Sequence, residues 1–83
     1  WYNYSTMYKI TLKIGDQIST SDGETALEAI QSLAKPKKIM GKGIFTISNG
    51  GKTRTILMLP MRIKRLFYPN TLHILAKTLS LGL

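Results

Sequence analysis

Gly50-Gly51-Lys52-Thr53 is the one segment of this sequence with the composition of a phosphate-cradling loop. Such a loop wraps phosphate in backbone N–H groups and delivers it to the N-terminus of a following helix, with another glycine five residues before the Gly-Lys-Thr step. Here that position is Thr46, inside a β-branched alternating run, and the residues after Thr53 (Arg54-Thr55-Ile56-Leu57-Met58-Leu59) read as a strand. Both requirements fail. The glycine pair reads instead as a two-residue hairpin turn, because glycine reaches positive φ without steric cost. A turn at Gly50-Gly51 sets Phe45 opposite Ile56, Ile44 opposite Leu57 and Thr46 opposite Thr55. A turn shifted to Asn49-Gly50 would oppose Phe45 to Arg54. Matching apolar with apolar selects the first register, which gathers Phe45, Ile47, Ile56 and Met58 on one face and leaves Lys52 and Arg54 at the tip.

Other reactive material is sparse. The only histidine, His73, falls beside the apolar stripe of the last helical segment and reads as a boundary residue. There are four acids, Asp16, Asp22, Glu24 and Glu28, and helix capping and the helix dipole account for Asp22 and Glu24. No Ser-His-Asp spacing stands out, there is no cysteine, and no pair of clustered ligands suggests a metal. The expectation is a protein that is not an enzyme and carries no cofactor or metal.

What the sequence does have is positive charge. Twelve Lys and Arg against four acids give a formal +8 over 83 residues, and every acid falls between Asp16 and Glu28. From Ala29 to Leu83 there is none. Self-repulsion on that scale is relieved by a polyanion, most commonly nucleic acid. Three basic segments are candidate contacts. Lys35, Lys37, Lys38 and Lys42 lie in a glycine-bearing connection that reads equally as a solvated loop or as a phosphate contact. Lys52 and Arg54 sit at the hairpin tip, as a basic finger or an ordinary charged turn. Arg62, Lys64 and Arg65 belong to a helix; arginines three apart share one side, and their planar forks suit phosphate.

The elements that must carry these residues follow from periodicity. Residues 8–14 alternate strictly, with Tyr8, Ile10, Leu12 and Ile14 on one face. Gly15-Asp16 turns the chain into a short strand at 17–20. A helix capped by Asp22 or Ser21 carries Ala26, Ile30 and Leu33 on one face and stops near Ala34 or Lys35, ahead of Pro36. Strands at 44–48 and 53–59 follow, then a helix with Pro60 in its first position and Ile63, Leu66 and Phe67 on its apolar side. A last helix, capped by Asn70 or Thr71, has the stripe Leu72, Leu75, Ala76 and Leu79. The order is ββα-ββα with an extra C-terminal helix. That makes a small α+β domain of antiparallel hairpins packed on helices. The halves align faintly at an offset of 35, pairing Thr11 with Thr46, Gly15 with Gly50 and Thr20 with Thr55. Over about its first third (strand, glycine turn, strand, helix after an aspartate) the chain resembles the start of a β-grasp domain. The later order departs from that pattern, and no function is carried over.

Residues 1–6 read as an N-terminal extension, native or appended, ahead of a single basic domain at 7–83. "WYNYST" has neither the basic nor the apolar region of a signal peptide, and the longest apolar run, Ile56 to Met61, is far short of the roughly 20 residues of a membrane span. An intracellular or virion setting is therefore expected over a secreted one. Phe45 and Phe67 fall on apolar faces, so a base-stacking surface is not expected. The first expectation is a nucleic-acid-binding domain, for DNA or RNA, that contacts backbone phosphates with little sequence selectivity. The alternative is an assembly subunit of a ribosome-like or virion-like particle. It would be held to protein partners, or to further copies of itself, through Trp1, Tyr2 and Tyr4 and the leucine-rich C-terminal helix.

Overall fold

A computed structural model describes residues 7–83; Trp1, Tyr2 and Tyr4, proposed above as docking aromatics, lie outside the described residues. The chain runs β1 (Tyr8–Ile14), β2 (Gln17–Gly23), α1 (Ala26–Gln31), β3 (Gly43–Asn49), β4 (Lys52–Met58), α2 (Pro60–Arg65) and α3 (Pro69–Leu79). The four strands form one antiparallel sheet in the order β2-β1-β3-β4. It is a small α+β domain.

Alternation decides which face of the sheet is buried. Ile10, Leu12 and Ile14 of β1, Phe45 and Ile47 of β3 and Met58 of β4 point to the helices and join Ile30, Ile63, Leu66, Leu72 and Leu79 in one core. No charged or polar residue is buried among the described residues, so the core makes no demand for ion pairing. The β3–β4 turn is the one anticipated: Phe45 faces Ile56, Ile44 faces Leu57, and Gly50 has φ 63°. The β1–β2 turn is its counterpart, closing Ile14 on Gln17 with Gly15 at φ 59°. Thr11 pairs with Thr46 across the central strands, Thr20 with Thr11, and Thr46 with Thr55. The two hairpins therefore have the same register at the offset of 35 of the faint sequence alignment, with one row of threonines crossing the face opposite the helices.

Five local expectations need correction. β2 does not stop at Thr20 but pairs with β1 as far as Gly23. Ser21 and Asp22 are thus strand residues rather than caps: Asp22 sits across from Lys9, an opposite-charge pair, and Ser21 Oγ donates to the Ala29 carbonyl at 2.6 Å. The true N-cap of α1 is Thr25, whose hydroxyl oxygen accepts from the Glu28 amide at 3.1 Å while Glu28 Oε2 accepts from the Glu24 amide at 3.2 Å. This is a capping-box arrangement displaced by one donor, and it puts Glu24 ahead of the helix rather than in its first turn. At the other end, α1 closes at Gln31, where a tight turn from the Leu33 amide to the Ile30 carbonyl ends it short of Pro36. α3 begins at Pro69 with Tyr68 as an extended N-cap, ahead of the Asn70 or Thr71 expected: proline suits the first helical position, where an N–H would have no partner within the helix, and it holds the residue before it out of helical geometry.

Candidate functional site

The long connection from α1 to β3 is held in place by residues that sequence reasoning did not single out. Pro36 is buried and Ile39 packs against the core, so the backbone of the segment is pinned at two points while Lys35, Lys37 and Lys38 remain exposed. Between those points the Gln17 side chain clamps the chain with both ends of its amide: Nε2 donates to the Lys38 carbonyl at 2.9 Å, and Oε1 accepts from the Lys37 amide at 3.1 Å. The contact spans twenty residues of sequence, and no local pattern announces it.

α2 brings the fourth lysine. Ile63 is buried beneath the sheet against Gly43 and Ile14, which fixes the helix rotation and turns Lys64 toward the connection. Lys35, Lys37, Lys38 and Lys64 line one open concavity of about 470 Å³, together with Pro36, Ile39 and Met40. Lys42 ends the same connection, exposed, one residue before β3, but does not line the concavity. Four like charges around one hollow repel one another, and an anion seated there relieves that repulsion.

The other candidates go elsewhere. Arg62 and Arg65 share a side of α2, as their spacing predicts, yet they line a separate groove of about 610 Å³ beside β4 and α3. Lys52 is exposed at the hairpin tip, whose strand pairings put it at the end of the sheet that carries Asp22 and Gly23. The concavity is at the opposite end, where Ile14, Gln17 and Gly43 lie. Six residue steps along a strand separate the two by roughly 20 Å. Arg54 is turned to the helix side of the edge strand, half-buried, and its guanidinium donates to the Thr78 and Leu79 carbonyls at 3.2 Å each. It therefore satisfies carbonyls at the C-terminus of α3, where a cation also suits the helix dipole.

The remaining chemistry stays thin. His73 is exposed on α3. Among the described residues no three His, Cys, Asp or Glu side chains are grouped to hold a metal ion, and no described helix is long and apolar enough to cross a membrane. Comparison with protein-family models, with curated proteins and with solved structures gives no match, so the reading of this chain rests on its own geometry.

Proposed function

We propose that this domain is a non-enzymatic nucleic-acid-binding module that holds backbone phosphates with little sequence selectivity. The observation that carries the reading is the convergence of Lys35, Lys37, Lys38 and Lys64 on one hollow, in a chain with no acid after Glu28. The connection and α2 are separate elements, brought together by the packing of Pro36, Ile39 and Ile63. A polyanion gains from such a prearranged cluster because the lysine-bearing backbone is ordered before binding. Phe45 is fully buried and Phe67 packs on the core, which leaves Tyr68 as the exposed aromatic among the described residues; one ring is not a stacking platform, and phosphate contacts dominate. On this reading the scaffold is a ββα unit used twice, with α3 added beneath it. Lys42 extends the patch along the connection. Arg62 and Arg65 lie around α2 from it, and Lys52 and Arg54 belong to other parts of the molecule.

The test is anisotropy of labelled single- and double-stranded DNA and RNA. Neutralising four phosphates on duplex DNA weakens affinity about 10²-fold between about 50 and 200 mM salt. The expected result is micromolar or tighter binding with a salt dependence of that size. Affinity that does not move with salt would remove the reading. The chain would then be an assembly subunit whose charge faces acidic neighbours.

A further inference from the structure

The groove beside β4 has a different chemistry. β4 is an edge strand, and the groove beside it is lined by Leu57, Leu59, Met61 and Ile74 with Arg62 and Arg65. The four apolar side chains are 62%, 59%, 71% and 70% exposed, a continuous apolar surface of the kind that marks a binding site rather than scattered surface residues. Among the described residues the strand has a partner on one side alone. A two-residue turn makes Asn49 and Lys52 the first hydrogen-bonded pair, so alternate residues of β4, namely Thr53, Thr55 and Leu57, turn their N–H and C=O groups away from β3. Natural edges are protected by charge, proline or cover. The other edge, β2, exposes polar Thr20 and Asp22 and only one large apolar residue, Ile18. In β4 the protection stops at Arg54, and the stretch from Ile56 to Leu59 has none.

We propose that β4 and this groove receive an extended acidic peptide segment of a partner protein, which adds to the sheet as a fifth strand. Each part of the site selects that occupant. The unpaired N–H and C=O groups of β4 alternate, and only another backbone offers acceptors and donors in that alternation. Leu57, Leu59, Met61 and Ile74 take apolar side chains, which a phosphate backbone does not supply. Arg62 and Arg65, with no acid anywhere in residues 29–83, take carboxylates through paired N–H donors. A second copy fits less well, because a two-fold pairing of β4 edges would set the Lys52 end of each strand against the Met58 end of the other, from which Arg62 and Arg65 follow, so that cations again face cations. This site shares no lining residue with the lysine hollow, and the proposal does not rest on nucleic-acid binding.

The probe is a fluorescein-labelled peptide as long as β4, alternating glutamate with leucine and blocked at both ends. Its control has the same composition with the alternation destroyed. Saturable micromolar binding of the first, at least tenfold weaker binding of the control, and backbone amide shifts in Thr53, Thr55 and Leu57 are expected. Leu57→Ser and Ile74→Ser replace exposed side chains without changing charge, and each should lower peptide affinity at least tenfold while leaving nucleic-acid affinity undiminished. Equal binding of the two peptides would reduce the interaction to charge alone and overturn the proposal. So would affinity that survives both serine substitutions. A chain that dimerises in sedimentation and loses its dimer on Leu57→Ser would assign the edge to a second copy instead.

Discussion

At Gly23 the chain has no room for a side chain. A Cβ there would lie 2.5 Å from the Ala29 nitrogen and 2.9 Å from the Glu28 carbonyl carbon. These are backbone atoms of α1, which cannot swing aside as a side-chain tip can. Gly43 is tighter than it looks in sequence for a related reason, but its nearest neighbour is the Cδ1 end of Ile63 at 2.8 Å, which has rotamers to yield. Gly23→Ala therefore forces α1 off the sheet and is expected to cost about 1–3 kcal/mol, the usual range for an overpacked core. Gly51→Ala, with open space around its Cβ position, serves as the comparison. Urea unfolding monitored by circular dichroism measures both, and equal midpoints for the two variants would refute the close-approach argument. Arg54 illustrates the same scale in the opposite sense. From sequence it is a free cation at a tip, and in the fold its guanidinium is already committed to the end of α3.

At the scale of elements, the connection between α1 and β3 is neither helix nor strand, yet Gln17 gives part of it a partner much as a neighbouring strand would, accepting one N–H and donating to one C=O. Gln17→Ala removes two hydrogen bonds that are open to water, so its cost to global stability is small, about 1 kcal/mol. Its local effect should be larger. Amide exchange at Lys37 is expected to accelerate while the core strands keep their protection, the pattern of a local opening. If the lysines bind as proposed, nucleic-acid affinity should fall several-fold as well, since the order supplied by the clamp is lost before binding. Unchanged exchange at Lys37 would show that Pro36 and Ile39 hold the segment without it.

The sheet has two ends, and distance decides which charges act together. Lys52 lies roughly 20 Å from the lysine hollow, more than two Debye lengths at physiological salt, where the screening length is about 8 Å. Lys52→Glu should therefore leave nucleic-acid affinity almost unaltered, whereas the double change of Lys37→Glu with Lys64→Glu should weaken binding strongly. Losing two phosphate contacts should also make the salt slope shallower by about 1.8 on duplex DNA. A Lys52 variant as damaging as the double variant would mean that the bound strand runs the length of the domain, and the site would need to be redrawn.

The positions of β1, β3 and β4, the hairpin register at Gly50-Gly51 and the apolar stripes of α2 and α3 were determined by the sequence itself, because alternation and helical spacing are local properties and register follows from matching one apolar set to another. The apolar run from Ile56 to Leu59 was also legible. Its role at an uncovered edge was not, because a strand becomes an edge only through the order in which all four pair. Caps moved for the same reason: Asp22 prefers a helix start, but pairing with Lys9 across β1 outweighed that preference and passed the cap to Thr25. The division of the basic residues belonged wholly to the tertiary structure. Lys64 joins Lys35, Lys37 and Lys38 because Ile63 is buried and fixes the helix rotation, and Arg54 leaves the tip because the end of α3 presents it with carbonyls. Neither contact has a counterpart in local sequence, since each joins residues more than twenty positions apart.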